Sequence, residues 1–229
     1  QPTFTYVLIP ADDGDVMTER TLDVPSKLED NLSCCTSAFQ DYFREYGGAI
    51  SEEGRDRMIA SAKEQISKQG KDAGAVDPKA LSQLAMSQTV DIVQLLPATA
   101  ASGFYGVNMY VDDKGVSKNA PTNRRASEIC AQCGMATDIR GDAFVARLWD
   151  DQEGFVRLDL RAVDLDSGAP WVVEARERNE KRPDVAQAAK QLGVGVPAPP
   201  ALLEPEVGFA ERLGKAQALR DEGRERLRA

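Results

Sequence analysis

The sequence predicts an α+β protein built on a mainly antiparallel sheet with packed helices and an extended C-terminal tail, and three observations carry that expectation. Residues 5–24 and 142–160 each hold two period-2 runs around a turn of Asp, Gly, Gln or Glu, the pattern of antiparallel hairpins. Segments with apolar residues three or four apart lie between them and read as amphipathic helices. From residue 174 the chain turns charged and then rich in Pro and Gly, a composition suited to a linker.

The first fifty residues read in order. TYVLIPA (Thr5–Ala11) and VMTERTLDV (Val16–Val24) flank DDGD and form a hairpin. Ser26 and Glu29 then match the capping box S-x-x-E, so a helix is expected to follow, with Leu28, Leu32, Cys35, Phe39, Phe43 and Tyr46 on one stripe and Gly47-Gly48 as its stop. A hairpin followed by a helix across it resembles the opening of ubiquitin-like β-grasp domains, a resemblance of element order over residues 3–48.

A second helix is expected over 52–69, with Met58, Ile59, Ala62 and Ile66 inward and Gly70 at its end. A flexible link at 71–77 marks the break between an N-terminal lobe, residues 1–70, and an α+β lobe, residues 78–173. Asp77-Pro78 begins a short helix to about Gln88. VDIVQLLPA (Val90–Ala98), apolar on both faces, reads as a central strand, and FYGVNMYV (Phe104–Val111) as the next. PTNRRASEICAQCG gives a cap at Thr122 or Asn123, a helix, and a stop at Gly134. DAFVARLWDDQEGFVRLDL (Asp142–Leu160) is the central hairpin, which needs the earlier strands beside it to be stable. Residues 174–208 form a charged and Pro-rich extension, and residues 209–229 a helix with Phe209, Leu213 and Ala216 on one side.

Length, composition and charge narrow the function classes. The 229 residues, 42% hydrophobic, can bury a core, and an aromatic share of 6% makes that core largely aliphatic. A net charge of −9 disfavours nucleic acid and anionic lipid as partners. No apolar run reaches the ~20 residues of a membrane span, and the four cysteines do not form the dense framework of small secreted domains. A cytoplasmic location is the expectation, with a ciliary or organellar complex compatible.

The chemistry-bearing residues are few. The chain has no histidine, which removes imidazole bases and the commonest nitrogen ligand of zinc. Cys130 and Cys133 stand in a C-x-x-C, but they share the i, i+3, i+4, i+7 face of Ala126 and Ile129 and fall in the last helical turn, where the dipole opposes a thiolate. They read as core cysteines, with a zinc or redox pair as the alternative. Asp112-Asp113 and Asp150-Asp151 sit in turns, where Asp is favoured for its backbone bonding. Arg124-Arg125 could hold an anion at a helix start, although pairing with local acids is the commoner use.

The segments PTNRRASEICAQCG, GDAFVARLWDD, FVRLDL and SGAPWV, within Pro121–Trp171, are similar to an uncharacterised family of algal and protist proteins, some of which carry a MYND-type zinc finger. The finger's Cys/His array is absent here, so the resemblance implies neither metal binding nor the finger's role in binding partners.

These observations converge on a non-enzymatic structural or adaptor subunit of a larger protein assembly, more readily hetero- than homo-oligomeric. It needs no cofactor. Its expected contacts are the hairpin residues Arg147, Trp149 and Arg157, taken as a mixed aromatic and charged patch with Asp159, and Phe209, Leu213 and Ala216 of the C-terminal arm.

Overall fold

In the computed structural model, which describes residues 2–68, 70, 77, 79, 87–151 and 153–180, both hairpins form as their alternation requires. Strands β1 (Thr3–Ile9) and β2 (Thr18–Asp23) pair in the first, and β5 (Ala143–Asp150) and β6 (Phe155–Leu158) in the last. Strands β3 (Val90–Leu96) and β4 (Tyr105–Asp112) complete a six-stranded, wholly antiparallel sheet in the order β2-β1-β5-β4-β3. The helices are α1 (Leu28–Tyr46), α2 (Glu52–Lys68), α3 (Arg124–Gln132) and α4 (Pro170–Glu180). The chain is thus α+β, with its hairpin-then-helix opening in place.

β5 organises the sheet. One edge pairs along its length with β4, from Val111↔Ala143 to Tyr105↔Trp149. Its other edge is shared in succession by β1, from Ile9↔Ala143 to Val7↔Val145, and by β6, from Arg147↔Leu158 to Asp150↔Phe155. The junction of β1 and β6 is stitched by Leu160 N to Thr5 O, 2.9 Å, and by Thr5 N to Asp159 Oδ1, 2.7 Å.

Because successive side chains point to opposite faces, this register builds two cores. Between α1 and the sheet, Phe39 and Phe43 of the helix pack on Phe4, Tyr6, Tyr110 and Phe144 of the strands. On the other face α3 and α4 cover an aliphatic layer of Val7, Ile9, Met109, Val145, Ile129 and Val172. The largely aliphatic core expected from composition describes only the second; the few aromatic residues are concentrated in the first.

Four expectations are corrected. The division at 70–77 does not separate two sheets, since β1 is hydrogen-bonded to β5 across it. Among the described residues Val90–Leu96 is an edge strand, because one neighbour, β4, pairs with it; of the strand, Leu95 and Leu96 are buried. α1 begins at Leu28 after an extended Lys27, with no side-chain cap, so the Ser26 box is not made, and Leu28, Leu32 and Tyr46 of the expected stripe are exposed while Asn31, Cys35, Phe39 and Phe43 face the sheet. The body also continues past residue 173: α4 buries Val172, Ala175 and Asn179, whose spacing keeps one face inward, while Glu174 and Arg178 pair on the other side. Asn179 donates to Leu95 O at 3.0 Å and Cys133 O at 2.8 Å, tying α4 to β3 and to the end of α3. The short helix expected at 78–88, most of the extension and the arm lie outside the described residues.

α2 keeps its expected face, with Met58, Ile59, Ala62 and Ile66 half-buried. Its start is fixed by Ser51, whose hydroxyl accepts from Gly54 N and donates to Ser117 O, both at 3.0 Å. A side chain at Gly54 would place its Cβ 2.1 Å from Ser117 O, so close approach requires glycine there.

Asn123 shows how loops are fastened to the sheet. Fully buried, it caps α3 by accepting from Ala126 N at 3.0 Å and donates to Ile9 O and Gly141 O at 2.9 and 3.0 Å. Asn123→Ala removes the cap and takes a donor from the buried Ile9 O and the part-buried Gly141 O, so a loss of about 1–3 kcal/mol is expected in urea unfolding. A change of only a few tenths would mean that water replaces the amide.

Candidate functional site: a buried arginine beneath adjacent cysteines

The hairpin register decides where the expected patch goes. Arg147 and Trp149 oppose Leu158 and Val156, whereas Arg157 opposes Leu148, so the two groups point to opposite faces. The mixed surface patch is therefore not formed. Trp149 is buried, donating Nε1–H to Gly103 O at 3.1 Å with its ring against Phe104; Arg147 is half-buried, 3.9 Å from Asp164; Asp159 is exposed.

Arg157 enters the aromatic layer under α1 and is only 6% exposed. One terminal nitrogen donates to Asn31 O and Leu32 O, at 3.0 and 2.9 Å, and the other to Tyr110 Oη at 3.3 Å. The guanidinium carbon lies 4.6 Å from the Phe155 ring centre and 5.8 Å from that of Phe4. Its Nε has no hydrogen-bond partner. Among the described residues no Asp or Glu forms an ion pair with it. A buried cation held only by neutral oxygens and ring faces is an unusual expenditure of solvation energy, and it favours any anion that can form nearby.

The nearest groups able to become one are Cys34 and Cys35. In a helix Cβ leans toward the N-terminus, so Cys35, four positions beyond Asn31 and three beyond Leu32, carries its side chain back toward both carbonyls that Arg157 grips, with Cys34 next to it in the chain. Cys35 is buried; Cys34 is half-buried, at the solvent side. The neighbouring Cys35 thiol first, and then the charge of Arg157, act against partial burial and hold the Cys34 thiol below its ordinary range. Cys34 and deeper burial push the Cys35 thiol up. Burial first, and then Cys35, raise Tyr110, which stays a neutral partner of the guanidinium.

The C-x-x-C pair lies elsewhere. Cys130 and Cys133 are fully buried in the aliphatic layer, and burial pushes both thiols up to about 12. Cys130 Sγ is 3.8 Å from Met109 Sδ. Among the described residues no three His, Cys, Asp or Glu side chains converge as a metal-binding group. The other sequence candidates build structure. Asp112 accepts from Lys114 N, Gln88 Nε2 and Lys118 Nζ, at 2.8, 2.7 and 2.7 Å. Asp151 accepts from Glu153 N and Gly154 N in its turn. Arg125 donates to the carbonyls of Pro10, Asp12 and Asp15, pinning the β1–β2 loop, while Arg124 is exposed, 3.8 Å from Asp13. Phe209, Leu213 and Ala216 lie outside the described residues.

A surface feature is set by the ends of the sheet. The outer edge at β2 carries exposed Glu19, Arg20 and Asp23, charges of the kind that blunt strand addition. At the opposite end β3 exposes Ile92, at 46%, beside a groove lined by Val93, Gln94, Asn108, Met135 and Thr137. No described helix is long and apolar enough to cross a membrane.

No protein-family model matches the chain, and no curated protein matches it. Among solved structures, the crystal structure of small RNA methyltransferase HEN1 aligns with a TM-score of 0.34 and 19% identity over 72% of this chain, which spans 15% of that protein. A likeness at that level carries no argument about either fold or activity.

Proposed function

We propose that the chain is a non-enzymatic structural or adaptor subunit of a larger assembly of different proteins, and that one partner joins at the open edge of β3. The contrast between the two ends of the sheet carries this reading: β2 is guarded by charge, whereas the outer edge of β3 has no strand partner among the described residues and lies next to Ile92 and an adjoining groove. An extended partner segment would gain main-chain hydrogen bonds along β3 and seat alternate side chains in the groove. The arm containing Phe209, Leu213 and Ala216 is proposed as a second contact, on the sequence reading alone.

Ile92→Lys tests this. Ile92 contributes little to the core, so unfolding free energy should change by less than about 0.5 kcal/mol. The full chain purified from its own cells should run above its monomer mass by size exclusion with light scattering, and the variant should shift toward the monomer. A wild-type chain that runs as a monomer, or a variant that assembles normally, overturns the edge reading.

A further inference from the structure

On the reading of β3 as the joining edge, we infer that the segment added there is an extended, cationic strand of a different protein, which sets a lysine or arginine against Asp91. Residues 90–94 keep a regular register with β4, from Val90↔Asp112 to Gln94↔Asn108, and the shift comes only after Gln94, so this stretch can accept a further strand. Val93 packs on the aliphatic layer and Val90 on the aromatic one. Asp91 therefore shares the face of Val93, while Ile92 and Gln94 take the opposite face.

Two hollows adjoin along this edge. The groove beside Ile92, of about 490 Å³, and a second cavity of about 200 Å³ share Val93 and Thr137 in their walls. The second is acidic, lined by Asp91, Asp112, Asp113 and Asp138 with Arg140 as its one cation. Three of those carboxylates are matched: Asp112 by Lys118 and Asp113 by Lys114, both at 2.7 Å, and Asp138 by Arg140 at 3.3 Å. Asp91 is exposed and has no partner among the described residues, so one carboxylate is left over where an added strand would run. A second copy of this chain would bring its own net charge of −9 to the same edge, which disfavours self-pairing. A foreign segment that alternates aliphatic and basic residues fits both hollows, with the aliphatic side chains beside Ile92 and the cation beside Asp91.

The test uses the full chain, expressed alone, with fluorescein-labelled peptides read by anisotropy at low salt. The peptide TVKVTVKT-amide should bind with a Kd below about 1 mM, and its glutamate counterpart, TVEVTVET-amide, at least about tenfold more weakly. N-methylation at the valines and lysines removes the main-chain donors of both edges and should abolish binding, whereas mere attraction to an acidic protein would survive it. Asp91→Lys, at an exposed position, should reverse the preference between the two peptides. Equal affinity for the two, a preference that Asp91→Lys leaves unchanged, or binding that survives N-methylation overturns the inference. So does a basic peptide that does not bind, or a dimer of the chain alone that Ile92→Lys dissolves, which would make a second copy the occupant. If both peptides bind equally and Ile92→Lys and N-methylation abolish both, the charge rule fails while the edge stands; the light-scattering comparison of the chain from its own cells decides the edge separately.

Discussion

Lys118→Met is expected to lower unfolding free energy by about 3–5 kcal/mol, the range for breaking a buried ion pair from one side. The Lys118 side chain is 4% exposed and that of Asp112 3%, with 2.7 Å between Nζ and Oδ2. The same ammonium donates to Phe43 O at 3.0 Å and to Gln88 Oε1 at 2.7 Å. It thus places a positive charge on a carbonyl in the last turn of α1, where the helix dipole favours it, while neutralising the carboxylate that ends β4. Methionine fills similar volume but leaves Asp112 charged and three acceptors short of a donor. Adding Asp112→Asn removes the stranded charge and should recover about 1–2 kcal/mol, because most of the penalty is the unpaired ion. Urea titration of the wild type, single and double variants measures this. A single-variant loss below about 1 kcal/mol would mean that the pair behaves as a solvated surface pair.

What the sequence disclosed and what it withheld divide along physical lines. Hairpins and helices are local, so the period-2 runs at 5–24 and 142–160 could be read directly and the cap narrowed to Thr122 or Asn123, of which Asn123 makes it. A strand's place in the sheet depends on neighbours distant in the chain. Val90–Leu96 therefore carries the apolar content of a central strand while occupying an edge, and its apolar surplus is what leaves Ile92 exposed. α4 was hidden for another reason: EARERN is dominated by charges, yet Val172, Ala175 and Asn179 suffice to hold one face because Asn179 spends its amide on two buried carbonyls.

The candidate site is harder still to read. In FVRLDL the obvious apolar set is Val156, Leu158 and Leu160, which puts Arg157 on the face that a one-sided sheet would expose to water. This sheet is covered on both faces, so the second face is also interior, and the arginine meets a helix backbone more than a hundred residues away in sequence. The adjacent cysteines were the available signal. Cys35 could be placed on the buried stripe of α1, but nothing local could show that a cation would bind the carbonyls of the same turn.

The aromatic layer that surrounds this arginine also governs the second large effect. Phe144, 1% exposed on the central strand, stacks on Phe39 with ring centres 4.2 Å apart and 4° between planes. It also meets Tyr42 at 4.9 Å, Phe43 at 5.5 Å and Tyr6 at 5.9 Å, so one ring on β5 joins Tyr6 of β1 to three positions of α1. Phe144→Ala is expected to lower unfolding free energy by about 3–5 kcal/mol, combining lost transfer energy with a cavity that the surrounding rings cannot close. Phe144→Leu, which keeps much of the volume, should cost less than half as much, because the loss is then mainly of ring contacts. The effect should also be directional. The opposite layer, with Cys130 and Cys133, does not touch this ring, so their protection from alkylation in native buffer should persist in Phe144→Ala while Cys35 becomes accessible as α1 loosens. Equal exposure of all three thiols at the same denaturant concentration would show instead that the two cores unfold as one unit.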